Sequence, residues 1–341
     1  MNKKSWIVVI VAALILFFGV QSAAVREKEA DLDDAISNKF FASDKTIEEG
    51  DSNSQIAVLQ VNGTIADTGD QNSLFSANQG YDHQGTLSAI KKIKEDHKVK
   101  ALLLEVDSPG GAVYESVELY RALKDLKESR QIPIYVSMKS MAASGGYMIS
   151  MAADKIFADT ETTTGSIGVI LSTFNISKLL EEHGIKPEVF KSGDHKDLLS
   201  MYRDPSDEDR EIINNILKES YDRFVKIVAE GRGMNEDEVR KLADGRIYSG
   251  QQALDKHLID AIGYRQDALE ALKADHDLEG GRVYLVSTDE DQQQFSRLIR
   301  RFSQAIPLSK LLKADTPANE IEAVKELTDQ APRPYYLYGG E

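Results

Sequence analysis

At 341 residues the chain is long enough for one large or two ordinary domains, and 41% hydrophobic against 28% charged residues describes an ordinary folded protein. A net charge of −15 argues against nucleic acid as a partner, because phosphate binding needs a basic face. With no cysteine there is no disulfide, no thiol nucleophile and no zinc–thiolate site.

Residues 1–5 form a short stub carrying Lys3 and Lys4, and residues 6–25 are almost entirely apolar. As a helix, 6–25 is about 30 Å long, enough to cross a bilayer. Lysines before it and Glu27, Glu29 and Asp31 after it place the N-terminus in the cytoplasm and the bulk of the chain outside the cell membrane, as a single-pass protein. A cleaved signal peptide, with small residues at Ser22 and Ala24, is the other reading of the same segment. Residues 26–54, rich in Asp, Glu, Ser and Asn, read as a linker or weak helix ahead of a folded domain over 55–285.

Ile56–Val61 has the composition of a strand, closed by the turn Asn62-Gly63. Residues 67–83 are polar and read as a surface loop, and Thr86–Asp96 has helical spacing through Leu87, Ile90 and Ile93. Val99–Val106 is a continuous apolar run of the kind buried on both faces of a parallel sheet. It leads into the turn Asp107-Ser108-Pro109-Gly110-Gly111 and a helical pattern over Tyr114–Lys127. A second unit repeats this order: a strand at Ile134–Val136, the stretch Met138–Gly146, and a helix over Tyr147–Ala153. Strand, glycine turn and helix twice over is the grammar of an α/β fold with a parallel sheet.

Lys155–Ala158 reads as a short strand, and the turn Thr162–Gly168 as leading into another at Val169-Ile170. A helix through Ile176, Leu179 and Leu180 ends at His183-Gly184, Glu188–Phe190 reads as a strand, and Lys191–Asp197 as a polar loop. Ser206 and Asp209 make a capping box for a long helix to Gly231, and Arg246–Gly263 adds a helical segment. Residues 286–341 form a charged, irregular C-terminal extension ending in the aromatic stretch Pro332–Glu341. That stretch is either a disordered tail or a segment that docks in a peptide groove.

No phosphate loop, H-E-x-x-H or G-x-S-x-G elbow is present, and the six histidines show no metal-ligand spacing. What carries chemistry is Ser144, set between alanines and glycines at a strand-to-helix junction. By itself such a serine reads as the N-cap of a core helix. The loops after two parallel strands emerge at one sheet edge, however, and the backbone N–H groups of Gly111 and Gly145 together suit an oxyanion hole. A serine nucleophile needs a base, and spacing leaves His195 and Lys196 open, with Ser166 placed to orient a lysine amine.

Four motifs, Asp107–Gly111, Ala142–Tyr147, Thr164–Gly168 and Lys191–Asp197, resemble in composition and order the signature of the signal peptide peptidase A (SppA) family, over about 90 residues. A looser similarity runs from Ile56 to Leu285. The resemblance implies a Clp/crotonase-like fold of repeated ββα and βαβ units and a Ser-Lys dyad serine protease, without metal or cofactor. By motif matching it implies Ser144 as nucleophile, Lys196 as general base, Ser166 as the lysine's hydrogen-bond partner, and Gly111 N–H in the oxyanion hole. Longer members carry two tandem halves that supply serine and lysine separately; this short form carries both motifs in one domain, which implies a ring-like homo-oligomer. The expected substrates are apolar peptides, such as cleaved signal peptides at the membrane. A crotonase-type acyl-coenzyme A enzyme and a non-catalytic membrane scaffold are the other readings.

Overall fold

A computed structural model describes residues 44–67 and 81–288, with the backbone of Tyr335–Leu337. All of them belong to one unit of the chain. The apolar segment 6–25 lies outside the described residues, and among those that are described no helix is long and apolar enough to cross a membrane.

The first strands, β1 (Lys45–Glu48) and β2 (Asp51–Asn62), begin inside the segment that reads as a linker, so the folded part starts near residue 44. Helix α1 (His83–Glu95) follows, capped by the Asp82 side chain. Then come β3 (Val99–Ser108), a short β4 (Gly110–Ala112) and α2 (Val113–Arg130). The second unit is β5 (Ile134–Ala143) and α3 (Gly145–Ser150), continuing into β6 (Lys155–Ala158) and β7 (Thr163–Gly165). Beyond these lie α4 (Ser177–Glu182), α5 (Asp207–Arg232), α6 (Glu236–Leu242), β8 (Ile247–Ser249) and α7 (Gly250–Asp255). Strand β9 (Ala261–Ile262), α8 (Arg265–Asp275), β10 (Gly281–Leu285) and the distant β11 (Tyr335–Leu337) complete the order.

The main sheet runs β1-β10-β2-β3-β5-β6-β9, with β7 joined to β5 and β8 joined to β7. Every pairing in it is parallel except β1 with β10 and β7 with β8. Period-two alternation divides each central strand between two cores. Ala57, Leu59, Leu102 and Leu104 face one core with α1, α2, α3 and α5; Ile56, Val58, Ala101 and Leu103 face the other with α8. A sheet covered on both faces accounts for the unbroken apolar run of β3.

Several elements differ from the sequence expectation. Strand β5 extends to Ala143 instead of stopping near Val136, because Asp107 Oδ1 accepts from Ser140 Oγ at 2.6 Å and Met141 N at 3.2 Å, and β7 pairs with this half. The strand of the 162–170 turn lies at Thr163–Gly165, ahead of Val169-Ile170, and Arg246–Gly263 divides into β8, α7 and β9. Glu188–Phe190 forms no strand; it lies exposed, with no neighbouring strand to pair with among the described residues. Of the loop expected at 67–83, residues 68–80 lie outside the described residues.

Candidate active site

The two glycine turns emerge side by side, since β3 pairs with β5 and Ser108 stands opposite Ala142. Inside the first turn Ser108 Oγ accepts from Gly110 N at 3.1 Å, and Gly110 takes a φ of +104°, which glycine adopts at little cost. On β4, Gly110 O and Ala112 N are both bonded to Ile65. By strand alternation the N–H and C=O of Gly111 therefore face the opposite edge. A side chain at Gly111 would overlap the Ile65 carbonyl, so this close approach requires glycine.

The second turn holds Ser144. Its backbone has φ 53° and ψ −115°, a strained region for a residue with a Cβ, and it is held there by Ser144 N donating to Gly165 O at 2.8 Å. Behind it, Tyr147, Met148 and Ile149 of α3 are buried in the core, and Tyr147 Oη donates to Leu258 O at 2.8 Å. Ser144 occupies the N-cap position of α3, yet its side chain makes no capping bond. The residue is 1% exposed, and its Oγ has no hydrogen-bond partner among the described residues. A buried hydroxyl left unpaired on strained backbone is not a structural cap. Both observations are those of a group held ready for a ligand.

Gly145 and Gly111 lie together: a Cβ built on Gly145 would sit 3.2 Å from Gly111 N and would collide with the Ser116 hydroxyl. Ser166 lies one residue beyond the Ala143–Gly165 pair, buried, with φ 49°. The fold thus gathers Ser144, Gly145, Gly111 and Ser166 at one edge of the sheet. No bond ties Lys196 to them. It lies exposed in the loop 191–201, and among the described residues its ammonium has no hydrogen bond or ion pair, to Ser144 or to anything else. His195 makes no hydrogen bond to Ser144 either: its Nδ1 is bonded to Asp209 Oδ1 at 2.8 Å and its Nε2 lies 3.4 Å from Glu208 Oε1.

Two features of the site go beyond what the motifs alone convey. Asp107 ties the end of β3 to β5, a role its place in D-S-P-G-G hints at only as a turn former. The other is β11, which pairs antiparallel with β4, setting Tyr336 opposite Gly111. Since Gly111 turns its N–H and C=O to that edge, a stretch of extended chain lies along β4. Among the described residues no group of three or more His, Cys, Asp or Glu could hold a metal ion.

Comparison with known proteins gives the family. The profile of Peptidase family S49 matches residues 126–279, a span holding Ser144, Ser166 and Lys196. An Enterococcus faecium protein carrying the provisional name signal peptide peptidase SppA is 44% identical over 350 aligned residues, covering 100% of both chains. This chain belongs to peptidase family S49. The chloroplastic serine protease SPPA of Arabidopsis thaliana is 33% identical over 64% of this chain and 32% of its own length. A Haemophilus influenzae protein named Protease 4 is 30% identical over 83% of this chain and 46% of its own. As an S49 member the chain is a serine peptidase, which decides against the acyl-coenzyme A enzyme and the scaffold.

Proposed function

We propose that this S49 peptidase hydrolyses apolar peptides at a membrane, cleaved signal peptides among them, with Ser144 as nucleophile and Lys196 as base. The observation that carries this is the buried, unbonded hydroxyl of Ser144 on strained backbone beside the amides of Gly111 and Gly145. The substrate binds as an extended strand along β4, the edge that β11 occupies in this chain. An uncharged Lys196 amine, oriented by the Ser166 hydroxyl, takes the Ser144 proton as Oγ attacks the scissile carbonyl carbon. The carbonyl π electrons move onto oxygen, which the N–H groups of Gly111 and Gly145 stabilise. Collapse of the intermediate breaks the C–N bond, and the ammonium returns its proton to the departing amine. Water then attacks the ester with Lys196 again as base, freeing the acid and Ser144.

Because Lys196 is exposed and makes no hydrogen bond to Ser144 within one chain, the base at each site comes from a neighbouring copy in a ring. The segment 170–202 supports such contacts, with Phe174 and Phe190 exposed at 82% and 93% and Leu179, Ile185 and Val189 exposed beside them. A cluster of exposed apolar side chains is what a subunit interface leaves on an isolated chain. The apolar segment 6–25 supports an uncleaved anchor that keeps the site on the outer side of the membrane. The test is turnover of an apolar peptide ester by the full chain in detergent. Ser144→Ala and Lys196→Ala are each expected to lose at least about a hundredfold in kcat; near-wild-type turnover in either ends the proposal.

A further inference from the structure

We propose that His195, Arg203, Asp209 and Asp197 form a clamp that positions Lys196, and that proton loss from His195 loosens it. This rests on the reading of Lys196 as the base. The residues on either side of Lys196 are tied back to one point. Asp197 Oδ1 accepts from Arg203 Nη2 at 2.9 Å and from Lys191 Nζ at 2.8 Å. Arg203 Nη1 donates to Asp209 Oδ2 at 2.6 Å, and Asp209 Oδ1 bonds His195 Nδ1 at 2.8 Å. The ring of contacts closes through the backbone of residues 195–197, with Lys196 at its apex. Its anchor is firm: the Asp209 side chain is 2% exposed and also accepts from Ser206 N at 3.0 Å, as part of the capping box of α5. Helix α5 is set in the core by Phe224, Val225 and Val228.

The cluster does something for Lys196 beyond holding its loop. Acids beside a lysine normally hold it as an ammonium ion, useless as a base. Here Asp197 is taken by Arg203 and Lys191, and Asp209 by Arg203 and His195, so the lysine is left without a partner carboxylate. The groups facing His195 are Asp209 and Glu208 from α5, the latter with Oε1 at 3.4 Å from Nε2, and Asp194 from its own loop. The hydrogen bond to Asp209 raises the proton affinity of His195 above the ordinary histidine range. The charged pair is therefore complete below that range and is lost as pH rises through the raised value.

The experiment measures kcat and KM of the full chain in detergent on an apolar peptide ester, from about pH 6 to 10, for wild type, His195→Gln, Asp209→Asn and the double variant. His195 is one-third exposed, so its replacement should leave the fold intact should Asp209→Asn prevent folding. At neutral pH His195→Gln is expected to lower kcat on the order of tenfold with KM nearly unchanged. The deficit should shrink as pH rises, since the wild type then loses the same charge. The double variant should be no worse than Asp209→Asn. A deficit independent of pH, one confined to KM, or additive losses would overturn the clamp. Lys196→Ala run alongside separates the two readings: full activity there removes base and clamp together, whereas an inactive Lys196→Ala with a normal His195→Gln removes the clamp alone.

Discussion

Ser144 carries two costs that a structural serine would not. Its positive φ is worth about 1–3 kcal/mol of strain, and its hydroxyl is buried with no partner among the described residues. Ser144→Ala should therefore leave thermal stability unchanged or slightly raised, whereas a true N-cap would lose about 1 kcal/mol. Ser144→Gly, which adopts a positive φ freely, should be at least as stable as wild type, and neither variant should turn over peptide. A calorimetric melt that fell by several degrees for Ser144→Ala would return the residue to a capping role. Ser144, Gly111 and Gly145 were legible as candidates by residue type, because small neighbours at a strand-to-helix junction leave a serine hydroxyl and nearby amides open to a ligand. Their pairing became legible only in the register of β3 with β5. The proposed base was not legible from spacing, because His195 and Lys196 are neighbours on one polar loop and neither is bonded to Ser144 among the described residues.

Among the elements, β11 offers the sharpest prediction. A strand of the chain's own tail lies along β4, so it competes with any peptide that must take the same edge. Deleting residues 332–341 should lower KM for a peptide substrate several-fold at unchanged kcat; an unchanged KM would show that the tail does not compete. The composition of Pro332–Glu341 marks an extended aromatic end but is compatible with docking and with disorder, since pairing over such a distance leaves no local signal. The parallel core strands β2 and β3 were legible because their apolar runs are continuous. The full length of β5 was not, because Lys139 and Ser140 interrupt the apolar pattern, although Asp107 and β7 carry the strand through them. Glu188–Phe190 fails in the opposite sense: β-prone residues form no strand where no partner strand is present. Helices α6 and α8 carry little apolar signal, being short and strongly charged.

At the scale of the whole molecule, the fold brings Ser144, Gly111 and Gly145 together in each chain and places Lys196, the proposed base, on a segment rich in exposed apolar side chains. On the proposed reading the site is completed by another copy, which gives the proposed ring its reason. The most direct measurement mixes Ser144→Ala and Lys196→Ala subunits, unfolded together and reassembled, and assays apolar peptide ester hydrolysis. Each variant alone should be inactive. In the mixture, sites that combine an intact Ser144 from one copy with an intact Lys196 from the next should restore about a quarter of the wild-type turnover. A mixture of well-formed oligomers as inactive as its components would contradict a site shared between copies.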